Sequence, residues 1–204
     1  MEVQLQQRSE ETLARIQDSA VRCFSIAGYT ATSVDDICDK AGVSKGAFYH
    51  HFPSKQAVFL GLIDSWLGTI ETGLKAARQE TVPATLMHMT SLLPVIFTSA
   101  EGHLPMFLEF WLQASREEKV HQAMVAPYRH FNDYFTNLIR AGNEEGSLVA
   151  SDPEVIAQAI LSVAIGTLLQ GLLDPNRTNW SNVAQESIQS ILAGVIKSRN
   201  EDKE

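Results

Sequence analysis

"GVSKGAFYHHFPSK", residues 42 to 55, sets a lysine, two histidines and a second lysine around a Phe-Tyr pair behind a Gly-Val-Ser turn. Gly42 suits the left-handed residue that ends one helix, and Ser44 can cap another running from Lys45 to roughly Phe52. Val43 points back toward a core, as does Phe48. Pro53 breaks the chain and Ser54 restarts it.

Upstream, a first helix is expected from Ser9, with Glu10 and Glu11 at its positive end, Leu13, Ile16, Ala20, Phe24 and Ala27 along one face, and a left-handed stop at Gly28. A second opens on Thr32 or Ser33, with Asp35 and Asp36 each three residues on, as in a capping box. Val34, Ile37, Cys38 and Ala41 form its inner face. Two short helices about a glycine turn, with a longer one in front, make a helix-turn-helix.

A helix lying in the major groove needs donors at its exposed N-terminal end and small residues where backbone approaches the duplex. Ser44, Lys45, Gly46 and Ala47 meet that need, and Tyr49, His50 and His51 face outward to phosphates or base edges. Gly46 costs about 1 kcal/mol of helix propensity relative to alanine, which makes sense where close approach matters more. Lys55, beside the free N–H groups of the next helix, suits one phosphate, and Thr32 and Ser33 either do likewise or serve only as caps.

The chain as a whole is acidic, with net charge −8 and pI near 5.2, so any contact with phosphate has to be local. Residues 1 to 55 carry only −1 of that total. Among 204 residues, 45% are hydrophobic and 20% charged, the make-up of a folded globular chain. Two cysteines, Cys23 and Cys38, are too few for a disulfide framework, and no secretory signal is evident, so a cytoplasmic location is expected.

Apolar residues recur at three and four almost throughout, which predicts an all-α fold. A helix from about Lys55 to Arg78 links the N-terminal module to helices near 84–99, 104–115, 117–141, 153–173 and 180–198, with Pro94 and Pro127 kinking or splitting two of them. "AGNEEGSLVASDP" is the clearest later break, closing on Asp152 as cap and Pro153 in the first turn.

"GYTATSVDDICDKAGVSKGAFYHHFPSKQAVF", residues 28 to 59, resembles the N-terminal domain of the TetR family of bacterial transcriptional regulators over about residues 9 to 67. The Gly-Tyr pair, Thr-Ser-Val before Ile37, "AGVSKG", "FYHHF" and the Ser-Lys restart all sit at family spacing. The resemblance implies a homodimer on a palindromic operator, usually a repressor released by a small ligand. It also implies that Lys45, Gly46, Ala47, Tyr49 and His51 match recognition-helix contacts, and that Lys55 matches a phosphate-contacting lysine. Ala47 is often a hydroxyl residue in relatives, and Cys38 replaces the usual alanine as a small buried side chain or a redox sensor.

The expected organisation is a three-helix DNA-binding domain, residues 1–54, and a larger helical ligand-binding and dimerisation domain, residues 55–204. "VIAQAILSVAIGTLLQGLL" is apolar nearly all round, yet Gln158, Ser162 and Gln170 recur along it and Asp152 and Asp174 flank it without a cationic side. A helix buried on two sides fits better than a membrane span, so helices near 153–173 and 180–198 are expected to form a four-helix dimer interface.

Aromatic and methionine residues are dense between 66 and 135. They are either simply core or the wall of a cavity for a small apolar or aromatic effector, with Trp66, His88, Phe107, Phe110, Trp111, Tyr128 and Phe131 as lining. His103, Glu109 and Gln113 are further polar candidates, Glu109 facing either a cationic ligand or solvent. The sequence shows no nucleophile elbow, metal motif or phosphate loop, so neither a catalytic residue, a metal nor a cofactor is expected. An enzyme with a histidine-carboxylate pair and an adaptor with a vestigial DNA module are the alternative classes.

Overall fold

The computed structural model describes residues 2–100 and 104–197, without the side chains of 2–5, 99–100 and 104–107. Its elements are α1 (Glu2–Ala31), α2 (Val34–Ala41), α3 (Lys45–His51), α4 (Lys55–Ala76), α5 (Val82–Thr90), α6 (Leu93–Ala100), α7 (Leu104–Ala114), α8 (Glu118–Glu144), α9 (Pro153–Leu173) and α10 (Trp180–Ala193). The fold is all-α: no strand occurs among the described residues, and one antiparallel bridge joins Leu148 to Ile196.

Several boundaries differ from the sequence reading for local reasons. α1 starts at Glu2 rather than Ser9, because residues 2 to 8 are helix formers with no breaker among them, which leaves Ser9 inside the helix. Gly28 does interrupt α1, with φ 80° and ψ 163°, but helical turns resume as far as Ala31. The expected helix over 84–99 is two helices, parted at Ser91 and Leu92, where the Ser91 hydroxyl donates to the carbonyl of His88 at 2.6 Å. Pro94 then falls in the first turn of α6, where its missing N–H costs nothing.

Pro127 lies inside α8, which runs on past it without splitting. α10 ends at Ala193 rather than near 198. Beyond it the backbone turns to the 147–149 segment, with Val149 N–H donating to the Val195 carbonyl at 2.8 Å and Lys197 N–H to that of Ser147 at 3.1 Å.

The chain forms two compact units. The first takes the residues up to Thr69 together with Ala100–Met124; the second takes Ile70–Ser99 and the chain from Val125 on. In the first, Ile16, Phe24, Ile37, Phe48, Val58 and Phe59 bury almost completely around α1 to α4, and α7 contributes Phe110 and Ala114. Phe59 meets Phe24 edge-on at 5.4 Å between centroids and Phe110 at 5.5 Å. The second is closed by Leu86, Ile139, Ala157, Ala184, Ile188 and Leu192.

The α2–α3 turn depends on Gly42, whose φ of 62° and ψ of 41° lie in the left-handed region. Its N–H donates to the Asp39 carbonyl at 3.2 Å, and that of Val43 to the Cys38 carbonyl at 3.1 Å, closing α2. The Arg15 guanidinium seals the turn from α1, donating to the carbonyls of Ala41 and, at 2.9 Å, Gly42. A Cβ on Gly42 would come within 2.8 Å of that guanidinium. Gly42→Ala should therefore lower stability by about 1 kcal/mol or more, since it adds backbone strain to a disturbed clamp. Urea unfolding followed by circular dichroism measures the loss.

Candidate nucleic-acid interface

α3 is short, and its geometry follows from one inward residue. Phe48 is fully buried, with Phe52 beside it at 6.1 Å between ring centroids. With Phe48 fixed inward, Lys45, Gly46, Tyr49 and His50 are left exposed and Ala47 and His51 partly so. The Ser44 hydroxyl caps the helix, accepting from Ala47 N–H at 3.1 Å. Tyr49 is 54% exposed, and its ring stands edge-on to Phe48 at 5.3 Å, which orients it without covering it.

Gly46 has no role in the internal packing: a Cβ there would meet only the Ser44 hydroxyl, at 3.7 Å. Its cost in helix propensity is thus unexplained by the fold itself and suits backbone that is approached from outside. The rings of His50 and His51 lie edge to face at 5.1 Å.

Of the two candidate caps for α2, the structure uses Ser33. Its hydroxyl accepts from Asp36 N–H at 3.1 Å, while the Asp36 carboxylate accepts from Ser33 N–H at 2.8 Å. Those bonds to Ser33 hold the Asp36 carboxyl below the ordinary carboxylate range. Thr32 is 2% exposed and its hydroxyl donates to the Gly28 carbonyl at 2.8 Å, so its side chain does not face outward as the phosphate reading requires. Ser33 itself is exposed.

Lys45 pairs with Asp35 at 2.7 Å, an exposed bridge that the sequence reading did not foresee. Hydrogen bonding to Asp35 raises the Lys45 ammonium above its usual range. Exposed pairs of this kind contribute about 0–1 kcal/mol, so the bridge is easily broken. Lys55 departs further from expectation. Its ammonium donates to the carbonyls of Tyr29 at 2.6 Å and Thr32 at 2.7 Å and lies 4.2 Å from the Tyr29 ring centroid. Burial pushes it below the ordinary lysine range, with the Glu109 carboxylate acting in the opposite sense.

The expected effector-lining residues divide between the two units. Phe110, at 2% exposure, belongs to the core of the first unit, with its ring 5.5 Å from that of Phe59. Trp66 is buried and Trp111 is 42% exposed, both in that unit. The Phe107 side chain and His103 lie outside the described residues. Glu109 accepts from the Gln113 amide at 2.9 Å, and Gln113 reaches the Thr30 hydroxyl at 3.4 Å.

In the second unit, His88 is exposed, Phe131 packs on the core, and the Tyr128 hydroxyl donates to Gln158 at 2.5 Å. Two side chains that the sequence reading passed over lie one turn apart on α8. Among the described residues neither Asn132 Oδ1 nor Thr136 Oγ1, both buried, has a hydrogen-bond partner. Cys38 is 4% exposed and Cys23 9%, and burial raises both thiols above their ordinary range. That environment favours the small-core-residue reading of Cys38 over redox sensing.

The pattern of bacterial regulatory proteins of the tetR family matches residues 16–62, and that of the BetI-type transcriptional repressor, C-terminal, matches residues 90–197. The chain belongs to the TetR family. It is thus a DNA-binding transcriptional regulator, and the enzyme alternative falls away. Among relatives, this TetR-family chain is 25% identical over 198 residues to the uncharacterised HTH-type transcriptional regulator YfiR of Bacillus subtilis, covering 94% of this chain and 95% of that one. A TetR transcription regulator from Haloarcula marismortui has the same fold, with TM-score 0.81 at 16% identity over 92% of this chain and all of its own. So does SmeT in complex with triclosan, with TM-score 0.79 at 19% identity over 92% and 93% of the two chains.

Tyr49 is the largest exposed side chain on α3, and its removal leaves the Phe48 anchor in place. Tyr49→Ala should abolish preference for a specific duplex while leaving the melting temperature within a degree or so, as expected for a surface change of under about 0.5 kcal/mol. Fluorescence anisotropy with the specific duplex and a scrambled one, beside a thermal melt, checks both halves.

Proposed function

We propose that this regulator is a cytoplasmic repressor: a homodimer that reads a palindromic operator with two copies of α3 and leaves it when a small, largely apolar effector binds. The observation that carries the DNA half is the edge of α3, where Lys45, Gly46, Tyr49 and His50 stand exposed on a helix anchored by buried Phe48. Residues 1–54 form the reading domain in this scheme, and residues 55–204 the sensing and pairing domain. The BetI-type repressor match over residues 90–197 supports the negative sign of regulation.

Dimerisation is assigned to α9 and α10. By length and composition alone α9 could cross a membrane, as could α4, yet only 28% of the most apolar stretch of α9 is buried within its own chain. Ala157, Ile160 and Leu168 face inward, while Val155 at 59% and Leu173 at 87% exposure remain uncovered. A second copy of the same helix pair would cover them, which favours a partner over a bilayer. Two heads then meet the duplex about one turn, or roughly 34–36 Å, apart.

The effector half rests on the second unit, where Phe131, Tyr134, Phe135 and Leu138 lie on α8 beside the unpaired polar atoms of Asn132 and Thr136. A buried acceptor without a partner costs about 1–3 kcal/mol, a cost that an effector carrying one N–H or O–H donor on an apolar body would remove. The triclosan complex of SmeT supports a small aromatic molecule in this role. Binding would then shift the direction of α4, which is one continuous helix, and with it the spacing of the two heads.

Selection of bound duplexes from random sequence should yield a palindrome. Val155→Glu combined with Leu173→Glu should give a monomer by analytical ultracentrifugation that no longer retains that palindrome. A dimer undisturbed by both changes would place the interface elsewhere. Thr136→Val keeps the side-chain shape and removes an unpaired hydroxyl, so it should stabilise the free protein by about 1 kcal/mol. A chemical denaturation curve in which the variant is less stable would show that the hydroxyl is satisfied.

A further inference from the structure

We propose that Asp35 is a specificity-determining residue for DNA binding: from the first turn of α2 it holds Lys45 on the reading edge of α3, so that the lysine serves base edges and is withheld from the phosphates of unrelated duplexes. The inference rests on the reading of α3 as the DNA-reading helix. It goes beyond that reading, since Asp35 lies on the neighbouring helix and is not among the residues expected to meet the duplex.

α2 carries three exposed carboxylates, Asp35, Asp36 and Asp39, and they are not equivalent. That of Asp36 is taken up by the helix cap, accepting from the Ser33 N–H at 2.8 Å and from its hydroxyl at 2.6 Å. Asp39 stands at the far end of α2, where its carbonyl accepts from the Gly42 N–H in the glycine turn. Asp35 Oδ1 meets the Lys45 ammonium at 2.7 Å. A carboxylate in the first turn of a helix suits the helix dipole, yet that explains neither the lysine opposite nor its close approach.

The two partners belong to elements anchored independently. α2 is fixed by the Ser33 cap and by Ile37 and Cys38 in the core, α3 by buried Phe48. The bridge between them lies on the exposed edge, where the two side chains remain 63% and 59% accessible. Tyr49, one turn on from Lys45, is close enough to act on its charge. An ammonium has three N–H donors, and Asp35 engages only part of that capacity. Lys45 can therefore keep the bridge and still donate to an acceptor in the major groove, such as N7 or O6 of guanine.

Use of the lysine as a counter-ion to phosphate is different. Its charge is already balanced by the carboxylate, so it displaces no cation from the duplex while paired, and leaving the pair strands Asp35 beside a polyanion. Sequence-independent binding comes almost wholly from that displacement of cations, and it is the mode that Asp35 suppresses. Specific binding draws on hydrogen bonds to base edges, for which a lysine already held in place loses less freedom.

The test uses the full-length protein and a duplex selected from random sequence by the unaltered protein. Affinity for that duplex and for a scrambled one is measured across a salt series for the wild type, Asp35→Asn, Lys45→Met and the double variant, with thermal melts of each. Asp39→Asn removes a carboxylate of the same helix outside the bridge and gives the effect of net charge alone. Asp35→Asn is expected to bind the scrambled duplex about tenfold more tightly, with a salt slope steeper by about one for each head. On the selected duplex it gains no more than Asp39→Asn does, so discrimination falls. In the Lys45→Met background the change at Asp35 does no more than Asp39→Asn on either duplex.

An equal gain with and without Lys45 overturns the proposal, because Asp35 is then only a repelling charge. Equal gains on the two duplexes overturn it as well, since the pair then sets affinity and not discrimination. So does the absence of any gain on the scrambled duplex, whether or not the selected one is lost. If the unaltered protein selects no duplex, the reading of α3 fails first and the role of Asp35 with it, an outcome distinct from the others.

Discussion

Seven residues make a helix too short to persist alone in water, where marginal stability begins at about twelve to fifteen. α3 exists because Phe48 is buried in the core formed by α1, α2 and α4. Burial of one phenylalanine side chain contributes about 1.5–3 kcal/mol, comparable with all other local support for so short a helix. Its consequence is directional as well as energetic. With Phe48 inward, Lys45, Gly46, Tyr49 and His50 are left exposed at the surface. Ser44, Gly42 and Arg15 then fix where the helix starts and how the chain enters it.

The electrostatics of this head do not follow the pattern of a strongly basic DNA-binding surface. Asp35, Asp36 and Asp39 are exposed on α2, and the Lys45 ammonium is already paired with Asp35. In the proposed reading, a Lys45 that turns to the duplex would leave Asp35 as an anion beside it. Bulk attraction is therefore small, in keeping with a net charge of −8, and affinity has to come from short-range fit. A glycine that permits close approach and a tyrosine with both an apolar ring and a hydroxyl are residues of that kind. Such a surface discriminates sequences better than it accumulates on DNA in general, because the sequence-independent part of binding comes mainly from phosphate charge.

The helix-turn-helix could be read from the sequence because its signals are local. A capping serine with its acidic partner, a left-handed glycine and a proline break each act within about four residues, and α2, α3 and the start of α4 lie where those signals put them. What could not be read was the direction of side chains whose partners are distant in sequence. Lys55 has four methylenes and reaches inward or outward with equal ease until the carbonyls of Tyr29 and Thr32 are placed beside it. Phe110 sits in an apolar run that suits either a cavity or a core, and its place in the core of the first unit becomes visible only once Phe59 is set beside it. The end of α10 has a similar cause, since it is set by pairing with residues 147–149.

In the proposed reading a single head presents one short helix to the groove, and individual modules of this size bury too little to discriminate a genomic site. Doubling the head solves this only if the pairing fixes the spacing between the two copies, which demands a rigid interface rather than a flexible tether. α9 is suited to that task because three of its polar side chains already bond within their own unit: the Thr167 hydroxyl donates to the Val163 carbonyl at 2.6 Å, the Gln170 amide to that of Gly166 at 3.2 Å, and Gln158 accepts from Tyr128. In the proposed dimer these bonds lower the polar demand that the groups bring to the interface, and the apolar residues between them are free to pack. Specificity for DNA and the composition of a helix more than a hundred residues away in the chain then follow from one requirement, that two weakly charged reading edges be held at a fixed separation.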